Sequence, residues 1–176
     1  MPRAVRPARA ASKQSLALVG FMGSGKSVVG ALVASRARAP FFDLDLMVES
    51  EAGMTIPEIF AARGESGFRA LESRLLPTAL QLGAVVALGG GTAMDDGNWQ
   101  VISERATSVY LEVPFETIWA RVGNSETRPM VGGRLRNEVE GLFDRRRVRY
   151  ETATHRVDAD RSPDDVAEDV LALWSD

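Results

Sequence analysis

Short apolar runs alternate with stretches of helical pattern along most of this chain. The runs at residues 15–19, 41–45, 84–88 and 108–113 predict strands, and a shorter last strand is predicted at 156–158. Continuous apolar runs of this length are typical of parallel strands that are buried on both faces. The alternation therefore predicts an α/β fold, a parallel sheet with helices on both faces in a three-layer α/β/α arrangement.

Helices are predicted between these strands. Thr55 and Glu58 have the spacing of a capping box, with Pro57 in the first turn, and Ser162 followed by Pro163 predicts the start of the last helix. Pro77 should kink or divide a long helix. The expected helices cover residues 25–37, 46–52, 56–64, 65–82, 98–105, 114–122, 135–150 and 163–174.

Composition limits the classes of function. The chain has 176 residues, 45% of them hydrophobic, with a formal net charge of −3 and no cysteine. These values predict one soluble domain at residues 15–176 with no nucleic-acid or membrane partner. We also expect the protein to be a cytoplasmic monomer, although composition does not determine the oligomeric state. Residues 1–14 carry arginines but no acid and no long apolar run, so we expect a disordered tail.

The first predicted strand leads into the pattern G-x-x-x-x-G-K-S at residues 20–27, and a helical run follows. This strand–loop–helix order is the context in which such a pattern predicts a phosphate-binding loop. Gly23 and Gly25 let the backbone approach phosphate oxygens, and the helix start adds free N–H groups and its positive dipole end. Lys26 supplies a charge for the outer phosphates, and the Ser27 hydroxyl can bind Mg²⁺.

Two more loops that contain candidate site residues follow predicted strands. Asp43 and Asp45 end the second strand, and the glycines at 89–91 follow the third. Because ligands bind at the carboxyl ends of parallel strands, all three loops should meet at one edge of the sheet. The alternative for Asp45 is a simple cap of the next helix.

Arginines provide the remaining candidates. Arg69 and Glu72 are one helical turn apart and can pair, although a solvated ion pair of little energy is the alternative. Arg128 lies in a polar, glycine-containing stretch at 123–134, which we predict to be a mobile lid. The basic run at 145–149 is equally typical of a solvated helix face.

Taken together, these motifs resemble those of the shikimate kinase family. The resemblance implies a P-loop kinase fold with five parallel strands in the order 2-3-1-4-5. It also implies ATP-dependent phosphorylation of the 3-hydroxyl of shikimate, giving shikimate 3-phosphate and ADP on the route to chorismate. The shared patterns are G-x-x-G-S-G-K-S, F-D-x-D, G-E-x-x-F-R-x-x-E at 64–72, L-G-G-G, R-P-M at 128–130, and an arginine four residues before Y-E.

The resemblance implies a nucleotide site. Ser27 binds Mg²⁺ in this scheme, and Asp43 holds the ion through water. Arg121 and Arg161 flank the adenine, and Arg128 closes over the transferring phosphate. The ATP phosphates are bound by Gly23, Ser24, Gly25, Lys26, Ser27 and Val28.

The resemblance also implies a shikimate site. Asp45 binds the hydroxyls and orients or deprotonates the acceptor, so Asp45, Lys26 and Arg128 are the predicted catalytic residues. Arg69 and Arg146 bind the carboxylate. The ring contacts the backbone of Gly89, Gly90 and Gly91.

Some alternatives stay open. The family usually has proline where this chain has Val148, so Arg145 remains an alternative to Arg146. Another small-molecule kinase of the same fold, such as a gluconate or nucleoside kinase, is a second hypothesis, but a neutral acceptor would not need two arginines. A catalytically inactive binding protein is a third, and the intact Lys26, Ser27 and Asp45 argue against it.

Overall fold

The computed structural model describes residues 14–122 and 135–174. Five parallel strands form one sheet in the order β2-β3-β1-β4-β5, as expected. Every position of β1 and β3 is buried, which agrees with their unbroken apolar sequences. The strands are β1 (Ser15–Val19), β2 (Phe41–Asp43), β3 (Val85–Ala87), β4 (Ala106–Glu112) and β5 (His155–Asp158).

Helices cover both faces of the sheet. The connection from β1 to β2 runs in the opposite direction across the sheet from the later connections, so right-handed crossovers place α1 on one face and the helices that connect β2 to β3, β3 to β4 and β4 to β5 on the other. The last helix, α7, packs against α1 and so covers the first face, and α4 packs against α3 and β4. The helices of the described residues are α1 (Lys26–Ala37), α2 (Leu44–Ala52), α3 (Ile56–Ala79), α4 (Asp96–Arg105), α5 (Phe115–Val122), α6 (Arg136–Tyr150) and α7 (Pro163–Trp174).

The boundary between β2 and α2 differs from the prediction. The strand ends at Asp43, and α2 begins at Leu44, so Asp45 lies in the first turn of a helix. Asp43, not Asp45, is the cap: its Oδ1 accepts from the backbone N–H groups of Asp45 at 3.1 Å and Leu46 at 3.4 Å. An aspartate here satisfies helix N–H groups that have no partner within the helix.

The long helix agrees with the prediction at one position and differs at another. The sequence predicted one helix ending near Gly64 and a second one at 65–82, and the break is confirmed, because Gly64 is non-helical (φ 67°, ψ 179°) and divides α3, which ends at Ala79. The predicted kink at Pro77 is wrong. Pro77 lies in the last turn and does not interrupt the helix. The capping box of Thr55 and Glu58 is confirmed, with the Thr55 N–H donating to Glu58 at 2.7 Å.

Strand register places the predicted site. Asp43 pairs with Ala87, and Ala87 pairs with Leu18, so the carboxyl ends of β2, β3 and β1 lie side by side. The loops that follow these strands must therefore open onto the same edge of the sheet, as predicted. Within the part of the chain that the structure describes, no helix has the length and apolar content to cross a membrane.

Candidate active site

The three loops line one cleft of about 860 Å³, together with residues of α2, α3, α5 and α6. Its wall contains both positively charged side chains and carboxylates. The charged and hydroxyl side chains that line it are Lys26, Ser27, Asp43, Asp45, Glu49, Arg69, Glu72, Arg121 and Arg146.

The phosphate loop has the backbone that its sequence predicts. Gly23 and Gly25 have φ angles of 80° and 93°, in the region that favours glycine. Gly25 is the N-cap of α1, so the free N–H groups at the start of this helix face the loop's concave side. The Lys26 ammonium donates to the carbonyls of Gly20 at 2.8 Å and Phe21 at 2.9 Å.

Ser27 and Asp43 form the part of the cleft that suits a hard cation. The Ser27 hydroxyl donates to Asp43 Oδ2, although the two residues are 16 positions apart in sequence. Mg²⁺ prefers oxygen ligands and commonly takes only one or two from the protein, with phosphates and water supplying the others. The pair fits that requirement, and the described residues contain no cluster of three or more His, Cys, Asp or Glu side chains that could hold a metal alone.

Asp45 lies where negative charge is unfavourable. Burial, followed by the nearby carboxylates of Glu72 and Asp43, raises the pKa of Asp45 from its ordinary 3.8 to about 6. Lys26 and Arg69 oppose this shift but do not cancel it. A carboxylate with such a pKa is ionised at neutral pH and is a better proton acceptor than an ordinary aspartate.

Arg69 is held by a buried carboxylate. Glu72 is 0% exposed; its Oε2 accepts from Arg69 and its Oε1 accepts from the Thr92 hydroxyl at 2.6 Å. The predicted pairing is confirmed, whereas the alternative of a solvated surface pair is wrong. Because burial strengthens electrostatic contacts, the guanidinium has a defined position in the cleft.

Arg146 is only 6% exposed, and its Cζ lies 5.8 Å from the centre of the Phe21 ring. Burial lowers the pKa of this guanidinium, and the neighbouring Arg69 acts in the same direction. Arg145, the preceding residue of α6, is exposed and does not line the cleft. The structure thus places Arg146, not Arg145, beside Arg69.

The glycine loop forms the surface on which both guanidiniums lie. A Cβ atom on Gly90 would be 3.4 Å from Arg146 Nη1, and one on Gly91 would overlap the Arg69 guanidinium, at 2.6 Å from its Cζ. Glycine at Gly91 is required here for close approach, since its φ of −101° is accessible to any residue. Two positive groups therefore converge on consecutive backbone positions.

Not every predicted residue lines the cleft. Arg121 does, and it donates to the Gly23 carbonyl at 2.9 Å. Ser24 is buried behind the loop, and Arg161 pairs with Asp169 instead of facing the cleft. Arg128 and the predicted lid lie outside the described residues.

Two buried residues were not predicted as part of the site. Thr92 holds Glu72, and the Tyr150 hydroxyl donates to the Gly90 carbonyl. Thr92 follows the glycine loop directly, a sequence signal that could have identified it. Tyr150 comes about one helical turn after Arg146, but that spacing alone does not indicate a contact with a loop 60 residues earlier.

The sheet order, the phosphate loop at the end of its central strand and the Ser27–Asp43 pair define a P-loop kinase. A model of the family described as shikimate kinase matches residues 22–174. The chain therefore belongs to the shikimate kinase family.

Individual relatives agree with this assignment. The chain is 44% identical over 160 residues to a shikimate kinase of Salinibacter ruber, covering 85% of this chain and 78% of that protein. It is 30% identical, with a TM-score of 0.88, to the structure of a shikimate kinase from Acinetobacter baumannii in complex with shikimate, covering 95% and 96% of the two chains. A gluconokinase from Sinorhizobium meliloti is 16% identical with a TM-score of 0.58, covering 94% and 93%, which shows a shared fold alone.

Proposed function

We propose that this protein phosphorylates the 3-hydroxyl of shikimate with ATP, giving shikimate 3-phosphate and ADP. One observation carries the proposal: Arg69 and Arg146 converge on the glycine loop in the same cleft as the phosphate loop. Guanidinium groups bind planar carboxylates through paired hydrogen bonds, and shikimate carries one carboxylate. Gluconate also carries a carboxylate, but it is an open chain and has no ring of three hydroxyls to place beside Asp45.

In the proposed mechanism the protein mainly positions the reactants and stabilises charge. The loop residues 23–28 bind the ATP phosphates, and Lys26 neutralises charge on the transferring group. Ser27 and Asp43 hold Mg²⁺, which when bound offsets the negative charge of the phosphates. Asp45 orients the acceptor hydroxyl and accepts its proton as the new P–O bond forms, while the bond from the γ-phosphorus to the bridging oxygen breaks and ADP leaves.

The adenine and lid residues complete the proposal. Arg121 contacts the phosphate loop and is proposed at the adenine. Arg161 is proposed beside it, since Asp160, the preceding residue, pairs with Arg121 at 3.8 Å, although Arg161 itself pairs with Asp169. Arg128 is proposed to close over the transferring phosphate. The contact between Arg121 and the Gly23 carbonyl supports the first of these. We further propose that residues 15–176 act as one kinase domain, with residues 1–14 as a tail.

A coupled assay for ADP release tests the activity itself. The wild-type protein should release ADP in step with added shikimate and should not do so with gluconate at the same concentration. ADP release with gluconate but not with shikimate would contradict the proposed substrate.

Removing either guanidinium should weaken shikimate binding selectively. We expect Arg69→Ala and Arg146→Ala each to raise the KM for shikimate by about 10- to 100-fold, the loss of a hydrogen bond to a charged group, and to change the KM for ATP little. The double variant should be less impaired than the product of the two effects, since both groups hold one carboxylate. Normal shikimate binding by both variants in calorimetry would contradict the assignment.

The close approach at Gly91 gives a second test. In Gly91→Ala the new methyl group would displace the flexible end of Arg69, so the protein should fold normally while the KM for shikimate rises about tenfold or more. Gly141→Ala is a matched control, because its Cβ would lie 3.3 Å from the guanidinium of Arg145, outside the cleft. Equal effects of the two changes on the KM would contradict the position assigned to Arg69.

A further inference from the structure

Tyr150 is a buried polar residue that the proposed mechanism does not use. It is the last residue of α6 and is 1% exposed, with its ring 5.4 Å from that of Tyr110. Its hydroxyl donates to the backbone carbonyl of Gly90. Burial raises the pKa of this hydroxyl well above its ordinary value, so it keeps its proton and remains a donor.

The contact anchors the middle of the glycine loop. The carbonyl of Gly89 accepts from the Thr92 N–H at 3.2 Å, and that of Gly91 accepts from the Met94 N–H at 3.0 Å. The Gly90 carbonyl, in contrast, accepts its described hydrogen bond from a side chain, the Tyr150 hydroxyl. Because glycines have no side chains to anchor them, the Tyr150 hydroxyl does for Gly90 what backbone amides do for its neighbours.

The Arg146 side chain, one helical turn earlier on α6, lies near this hydroxyl. The two groups interact electrostatically: Tyr150 opposes the lowering of the Arg146 pKa by burial, and Arg146 opposes the raising of the Tyr150 pKa. Arg146 Nη1 lies 3.4 Å from the position that a Cβ atom on Gly90 would take. The Tyr150 hydroxyl therefore anchors the backbone position beside which the arginine of α6 lies.

We propose that Tyr150 is a positioning residue that sets the Gly90 backbone and the Arg146 guanidinium relative to each other, and so determines the affinity for the carboxylate substrate. This inference rests on the proposed function. The hydrogen bond from the hydroxyl fixes the Gly90 backbone, beside which the Arg146 guanidinium lies, whereas a phenyl ring of the same shape leaves the Gly90 carbonyl without that partner.

Tyr150→Phe tests the proposal, with Tyr110→Phe as the matched control. Both changes remove one oxygen from a ring of the same tilted pair. We expect Tyr150→Phe to raise the KM and the calorimetric Kd for shikimate about tenfold while kcat and the KM for ATP stay within about twofold. Tyr110→Phe should leave all four quantities near wild-type values.

A background variant separates positioning from general destabilisation. If Tyr150 acts partly through Arg146, the change Tyr150→Phe should raise the KM for shikimate less in an Arg146→Ala protein than in the wild type. A merely structural role would lower the melting temperature and give equal effects on both backgrounds, which would overturn the proposal. Failure of Tyr150→Phe to fold, with Tyr110→Phe intact, would overturn it too, since the hydroxyl would then be needed for the fold.

The outcomes also distinguish this inference from the proposed function. If the wild-type protein phosphorylates shikimate and the Tyr150→Phe variant has the wild-type KM for shikimate, the inference about Tyr150 is overturned and the proposed function stands. A wild-type protein that binds shikimate without transferring phosphate would contradict the proposed activity, while the Kd values of the two variants would still decide the role of Tyr150. A wild-type protein that does not bind shikimate would overturn both.

Discussion

We expect the Lys26→Met variant to lose phosphoryl transfer almost completely, by about 10³-fold or more in kcat, while keeping its fold. Lys26 lines the cleft at the first residue of α1, and its ammonium lies beside the carbonyls of Gly20 and Phe21. Methionine has a similar length but supplies no charge for the transferring phosphate. Because Lys26 is not part of the hydrophobic core, the substitution should change the free energy of unfolding only slightly.

The measurement is kcat in the ADP-release assay, with circular dichroism and thermal unfolding to verify the fold. Lys13→Met is a matched control, since Lys13 is the other of the two lysines in the chain and lies in the predicted tail. This variant should retain wild-type kcat. A folded Lys26→Met protein with near wild-type kcat would contradict the proposed mechanism.

The second large effect is expected from Asp45→Asn. Asparagine keeps the size and the hydrogen-bonding capacity toward a substrate hydroxyl, but it cannot accept the proton. We therefore expect kcat to fall by about 100-fold or more while the KM for shikimate changes much less. A kcat within a few-fold of wild type would show that another group, or none, accepts the proton.

Asp45→Asn should at the same time stabilise the metal-free protein. The pKa of Asp45 is about 6 in the folded state against an ordinary 3.8, so between these values the folded state binds more protons than the unfolded state. The contribution of this group to the free energy of unfolding is therefore lost as pH rises from about 4 to about 6. At pH 7 the loss is complete, because Asp45 is ionised in both the folded and the unfolded state. Removing the charge should raise the free energy of unfolding at pH 7 by on the order of 2 kcal/mol.

Chemical denaturation in EDTA at pH 4.5 and at pH 7 measures this effect. The advantage of Asp45→Asn over wild type should be larger at pH 7 than at pH 4.5. Asp144→Asn, at an exposed carboxylate of α6 outside the cleft, should show no such difference. An equal stability of wild type and Asp45→Asn at pH 7 would contradict the cost assigned to the buried charge.

Local sequence patterns predicted most of the architecture because they depend on few neighbours. An apolar run such as Val85–Ala87 has to be buried on both faces, and a capping box such as Thr55 with Glu58 satisfies the N–H groups of its own helix. Boundaries were less well predicted. Asp43 and Asp45 are equally good candidates for a cap by residue type, and only the backbone conformation at Asp43 decided between them.

The sequence by itself determined the phosphate loop, the parallel sheet and the meeting of three loops at one edge, because glycine spacing and apolar runs act locally and parallel strands align their carboxyl ends. Only the tertiary structure decided which arginine of the basic run enters the cleft. Arg145 and Arg146 are neighbours on α6, and the rotation of this helix about its axis determines which of them faces the cleft. The same holds for the burial of Glu72 and for the contact between Tyr150 and Gly90. Those contacts join residues that are distant in sequence, and their geometry depends on how whole elements pack.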